Sequence, residues 1–264
     1  MGTLHVEASY TSKIIKAGAL VQDTQLFLTH WDISVSVQEN LQLIQQSNLL
    51  GKASRSRVAD MLVIFRDRYL RDSHVVAALV MLAQGGLPWT EIQPILYYLS
   101  VQSDLLLRDV VLQVLFPKYQ QGRMDVRLEE ITEWLQEQVI ARRTAGEWAT
   151  VTTERVARGI LATLRDFGVL EGAVKKHLRT PHLPPASFAF IAFLLNKKLR
   201  SGDKLLHDPA WQLFFLKERD VERLFFEAHQ EGLLSYQAAG NIIRIDFPAQ
   251  TMEDYALAFT RRSL

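Results

Sequence analysis

The sequence predicts a mainly α-helical protein whose strand structure is confined to its C-terminal half. Three observations predict this. From residue 10 to about 144, apolar residues recur at helical spacing between short polar breaks. Serine and aspartate stand where those segments begin, in the positions that cap helices. Near the end, NIIRIDF (241–247) alternates apolar and polar residues with the period of two that marks a strand with one buried face. The 264 residues are 48% hydrophobic, enough for a sizeable core.

Taken in order, the spacing predicts helices near 11–30, 36–49, 54–70, 73–84, 89–100, 102–116 and 126–144. Ser54 is placed to cap the third, Asp72 or Ser73 the fourth, and Thr90 falls in the first turn after Pro88. Gly85-Gly86 and Pro117 are read as stops. The polar stretch RRTAGEW (142–148) then divides an all-helical domain, 1–145, from a second domain, 146–264.

In the second domain, a helix over 151–167 ends at Gly168, which suits a left-handed C-terminal cap, and VLEG begins an extended segment. KKHLR (175–179) reads as a short strand or wing before the proline-rich PHLPP. Helices follow near 186–200, 208–216 and 218–230, then a β-hairpin over about 233–247 turning at Gly240-Asn241, and a last helix near 251–262. A helix running through Gly into a two-stranded ribbon occurs twice, at FGVLEG and at EGLLSY. Short helices followed by a ribbon make helix-turn-helix and winged-helix elements, the usual business of which is nucleic acid.

Charge narrows where such a contact would lie. The chain holds 30 Lys and Arg against 29 Asp and Glu, so no global field draws it to a polyanion. Residues 141–200, however, carry eleven basic side chains and four acids, an excess of seven in a chain whose net charge is +1. On the helix 151–167, Arg155, Arg158 and Arg165 gather on one side while Val156, Ile160, Leu164 and Phe167 take another. Thr152 and Thr153 stand in its first turn, and Lys175, Lys176 and Arg179 lie on the wing just beyond. These eight residues form the candidate DNA-binding set, because guanidinium forks pair bidentately with phosphate and with guanine edges. The bland alternative is a solvated helix face whose arginines meet Glu154 and Asp166. In KERDVERLFFEAHQE (217–231) five acids, Glu218, Asp220, Glu222, Glu227 and Glu231, offset Lys217, Arg219 and Arg223, so that element is expected to pack or to bind protein. Arg55, Arg57, Arg66, Arg68 and Arg71 leave open a second basic surface in the N-terminal half.

Catalytic chemistry has no signature. Gly51-Lys52 lacks the earlier glycine and the following Ser or Thr of a P-loop, since Gln46 and Ala53 hold those positions. The seven histidines show no metal spacing, there is no cysteine, and no GxSxG or GxGxxG is present. No enzyme activity, metal or cofactor is expected. The start of the chain lacks the pattern of a secretory signal, and the apolar runs VVAALVMLA (75–83) and ASFAFIAFLL (186–195) are each about half the ~20 residues a membrane span needs. A cytoplasmic protein without membrane contact is expected.

YTSKIIKAGALVQDTQLFL, QENLQLIQQS followed by SRSRVADMLVIFRDRYL, and TTERVARGILATLRDFGVLEG with its proline-containing tail together resemble the BrxA family of bacteriophage-exclusion (BREX) phage-defence systems. The resemblance covers most of the chain through dispersed apolar and arginine positions. The resemblance implies a mostly helical, non-enzymatic cytosolic protein with helix-turn-helix or winged-helix elements that binds double-stranded DNA beside the system's methyltransferase, ATPase and phosphatase-like proteins. A protein-interaction adaptor and an RNA-binding helical protein are the competing expectations.

Overall fold

Capping chemistry sets where most of the helices begin. The structure is a computed structural model describing residues 9–179, 182–199, 201–240 and 242–260. Its helices are α1 (Val21–Thr29), α2 (Val37–Gln46), α3 (Arg55–Tyr69), α4 (Ser73–Gln84), α5 (Trp89–Ser103), α6 (Leu105–Val110), α7 (Phe116–Gln120), α8 (Leu128–Ile140), α9 (Thr150–Asp166), α10 (Pro185–Leu199), α11 (Gly202–Leu206), α12 (Glu218–Gln230) and α13 (Met252–Thr260). The strands are β1 (Asp125–Val126), β2 (Leu170–Glu171), β3 (Lys176–Leu178), β4 (Ser235–Ala239) and β5 (Ile242–Asp246). The mainly helical expectation holds.

Ser54 caps α3 by accepting from the Arg57 N–H at 3.4 Å, and Asp72 caps α4 through the His74 N–H at 2.9 Å. Ser36 and Glu39 form a reciprocal capping box on α2. Asp104 accepts from both Leu106 and Leu107 N–H groups at the start of α6. Asp104→Ala should therefore lower stability by about 1 kcal/mol, the usual worth of such a cap, with urea denaturation as the measure.

Four expectations about elements need correction. The helix expected over 11–30 is a 3₁₀ turn at Ser12–Ile15 and a separate α1, because Leu20 adopts a left-handed φ of 54° between them. Pro117 does not stop its helix. The chain widens into a π turn at Val111–Leu115, where the Phe116 N–H reaches back to Val111, and Pro117 enters at the first turn of α7, where its missing N–H costs nothing. The α-helix expected over 208–216 is a 3₁₀ segment, Pro209–Phe214, ended by Phe215 in the left-handed region at φ 55°, with the unforeseen α11 before it. β1 was not foreseen at all.

The chain divides into two compact units and crosses between them three times. One comprises Met1–Ala19 and Val101–Thr180, the other Leu20–Ser100 and Pro181–Leu264. Residues 145 and 146, where the sequence suggested a boundary, fall inside the first. There α8 packs along α9. The loop joining them is pinned to the N-terminal segment by two backbone bonds, Tyr10 N–H to the Arg143 carbonyl and Ala145 N–H to the Tyr10 carbonyl, both 2.8 Å.

In the first unit Val156, Ile160 and Leu164 of α9, Ile131 and Leu135 of α8, and Leu107, Val110 and Leu115 build the core. The 3₁₀ turn at Ser12–Ile15 lies against α9, where Gly159 lets the Ile14 carbonyl approach so closely that a Cβ would stand 3.3 Å from it. β1, β3 and β2 form an antiparallel sheet in that order, with Asp125 opposite His177 and His177 opposite Glu171.

In the second unit α4 packs on α13 and α1, and α10 packs on α11, α12 and α13. Phe188 of α10 stacks on Trp211 at 4.6 Å between ring centroids and meets Phe225 of α12 edge-on at 4.7 Å. The β4–β5 hairpin pairs Ser235 with Asp246 through Ala239 with Ile242, within the expected span. Gly240 turns it with φ 58°, and Asn241 lies outside the described residues.

The two helix-to-strand junctions share their geometry. At the end of α9 the Gly168 N–H bonds the Arg165 carbonyl and the Val169 N–H bonds Leu164. At the end of α12 the Gly232 N–H bonds His229 and the Leu233 N–H bonds Ala228. Gly168 and Gly232 both have positive φ, 80° and 63°, as this left-handed cap requires.

Candidate nucleic-acid interface

The candidate residues lie on α9 and the β2–β3 ribbon of the first unit. α9 buries Thr153, Val156, Ala157, Ile160, Leu161, Thr163 and Leu164, and exposes Val151, Glu154, Arg155, Arg158, Arg165 and Asp166. Its N-cap, Ala149, offers no side chain to the first turn, and no acid stands there. Two of the three arginines have a carboxylate neighbour: Arg158 Nη2 is 3.5 Å from Glu154, and Arg165 donates to Asp166 at 2.8 Å. Both pairs are exposed, so each is worth at most about 1 kcal/mol and yields readily to a phosphate. Arg155 has no acidic partner within 4 Å among the described residues.

The β2–β3 turn is tight. Gly172 has φ 90°, and a Cβ there would collide with the Lys175 carbonyl. Lys175 and Arg179 are exposed, whereas the Lys176 ammonium donates to the Ala173 carbonyl at 2.9 Å and closes the tip. The outer row of the sheet sets His177 between Asp125 and Glu171, a poor surface for a polyanion.

Of the eight sequence-derived candidates, the structure leaves Arg155, Arg158, Arg165, Lys175 and Arg179 exposed and Thr152 half-buried. Thr153 is buried and its hydroxyl donates to the Ala149 carbonyl, so it serves the helix start. Lys176 serves the β2–β3 turn. Two arginines escaped the sequence reading: exposed Arg123 and Arg127 flank β1, whose pairing with β3 brings them to the sheet that carries the β2–β3 turn. A two-residue strand has no periodicity by which it could have been found. Of the rest of the basic segment, Lys197 and Lys198 belong to the second unit, and Arg200 lies outside the described residues.

Residues 8–194 match the family model described as BrxA. The chain belongs to the BrxA family. Membership makes it a component of a BREX phage-defence system. No curated protein matches it. The BrxA match takes in α9 and the β2–β3 ribbon and stops within α10, before α12 and the β4–β5 hairpin.

The corresponding elements of the second unit have different chemistry. On α12, Arg223 donates to Glu227 at 2.7 Å, and Glu218 lies 3.2 Å from His207. His207 is raised above its usual pKa, first by a backbone bond at Asp203 and then by Glu218. Phe226 is 53% exposed on this helix, and Ile242 on the hairpin is 74% exposed. Among the described residues, no helix is long and apolar enough to cross a membrane, and no group of three or more His, Asp or Glu side chains is placed to hold a metal.

Proposed function

We propose that this BrxA protein is a non-enzymatic, double-stranded DNA-binding component of its BREX system, acting in the cytoplasm without a cofactor or membrane contact. The reading is supported by one observation: the arginine-bearing α9 runs directly into the β2–β3 ribbon, in an element order that a winged helix would have. Helix, β1, α8, α9, β2 and β3 follow one another, with β1 paired to β3. In helix-turn-helix proteins the second helix of the pair enters the major groove with its N-terminal residues at the base edges, which here is α9. Arg155, Arg158, Arg165, Lys175 and Arg179, with Thr152 at the helix start, then meet four to six phosphates.

The salt dependence tests this. Affinity for a mixed-sequence duplex is expected to fall with a log–log slope of about −4 to −5 between roughly 50 and 200 mM salt. Absence of duplex binding at low salt, or structured RNA competing better than duplex DNA, would overturn the reading. A second role is favoured by the exposed Phe226 and Ile242 on the other helix-and-hairpin pair. These side chains suit contact with another protein of the defence system.

A further inference from the structure

Val151 is the second residue of α9 and is 70% exposed. Nothing in the fold asks for it there. An exposed helix position favours alanine, glutamate or lysine over a β-branched side chain, and Val151 fills no part of the core. At 100° per residue, Val151, Arg155, Arg158, Ala162 and Arg165 fall within about 80° of one another, on the side opposite Val156, Ile160 and Leu164. The stripe that carries the arginines thus begins with an apolar side chain and includes the half-exposed, short Ala162.

We infer that Val151 contacts the C5-methyl group of thymine in the major groove, which makes the target thymine-bearing B-form DNA. This rests on the DNA-binding reading above and adds to it what α9 reads. Thymine alone presents a methyl group among the four major-groove patterns, and an apolar side chain is its natural partner. Val151 occupies the part of a recognition helix that approaches base edges, and Arg155 follows one turn on, where its guanidinium can hold the adjacent phosphate. The same contact discriminates against RNA. Uracil lacks the methyl group, and the major groove of an A-form duplex is too narrow for side chains to read.

Single apolar residues are common on protein surfaces, so the test isolates the methyl group. A mixed-sequence duplex and its counterpart with deoxyuridine replacing every thymidine carry equal charge and the same pairing. The full chain and its Val151→Ala variant are titrated against both by fluorescence anisotropy, with far-ultraviolet circular dichroism checking that the variant retains its helices. The wild type is expected to bind the deoxyuridine duplex about fourfold more weakly, the worth of burying about one methyl group. The variant is expected to bind both duplexes within about 1.5-fold of each other, its loss of discrimination set by that same group. Equal discrimination by wild type and variant would overturn the inference, since the effect would then come from duplex shape. Normal binding without discrimination by the wild type would overturn it while leaving the DNA-binding reading standing. Failure of the wild type to bind either duplex at low salt would overturn both.

Discussion

The triple variant Arg155→Ala/Arg158→Ala/Arg165→Ala is expected to bind duplex DNA about a hundredfold more weakly than the wild type. Three exposed contacts to phosphate, each worth about 1 kcal/mol, combine to roughly that loss. The log–log salt slope should become shallower by nearly three, since each lost contact removes about 0.9. Stability should hardly change. All three side chains are exposed, alanine is a better helix former than arginine, and the ion pairs sacrificed, Arg158 with Glu154 and Arg165 with Asp166, are surface pairs. Anisotropy titrations beside thermal denaturation separate the two effects. Arg219→Ala/Arg223→Ala on α12 is the matched control and is expected to leave affinity unchanged. A triple variant binding within threefold of wild type would remove α9 from the interface.

The two faces of α9 were legible in the sequence because helical geometry is periodic: the residues that pack and the residues that meet solvent separate by angle alone. The same rule already spoke against Thr153. At 100° per residue it falls with Val156, Ala157 and Ile160, and its burial follows from that angle rather than from its place in the first turn. Lys176 is the strand counterpart. Alternation from buried Leu178 puts it on the inner side of the ribbon, with only its ammonium reaching out to close the tip. β1 was illegible because its two residues are specified by β3, fifty positions away in the sequence, and short-range pattern carries no trace of such a partner. The division into units was hidden for a related reason. RRTAGEW has the composition of a linker, yet its backbone is held by Tyr10, a contact across more than a hundred residues that no local feature announces.

Glu130→Ala is expected to lower stability by about 2–3 kcal/mol near neutral pH, through Lys118. That lysine of α7 has only 6% of its side chain exposed, and its ammonium donates to both Glu130 oxygens at 2.7 and 2.6 Å. Removing the carboxylate strands a buried positive charge, the costly half of breaking such a pair, although partial snorkelling of the lysine keeps the loss below the largest known cases. Lys118→Met should cost much less, because Glu130 is 31% exposed and can turn to water. Glu130 also accepts the Arg127 N–H at 3.1 Å, closing the first turn of α8. Burial acts to raise the Glu130 carboxyl, but the Lys118 bond, the Arg127 N–H and the Lys118 charge outweigh it and hold the pKa below the ordinary 4.5. A depressed carboxyl contributes stability that is fully present above that ordinary value and fades as pH falls through the lowered one. Urea denaturation should therefore show the difference between wild type and Glu130→Ala shrinking once the pH drops below 4.5. A gap that stays constant through that range would mean that ionisation of Glu130 contributes nothing to stability through either Lys118 or the Arg127 N–H. Lys118 and Glu130 bracket β1 in sequence, and β1 is the strand that fastens β3. Faster amide exchange in β1 and β3 of the variant would connect this buried pair to the posture of the β2–β3 ribbon.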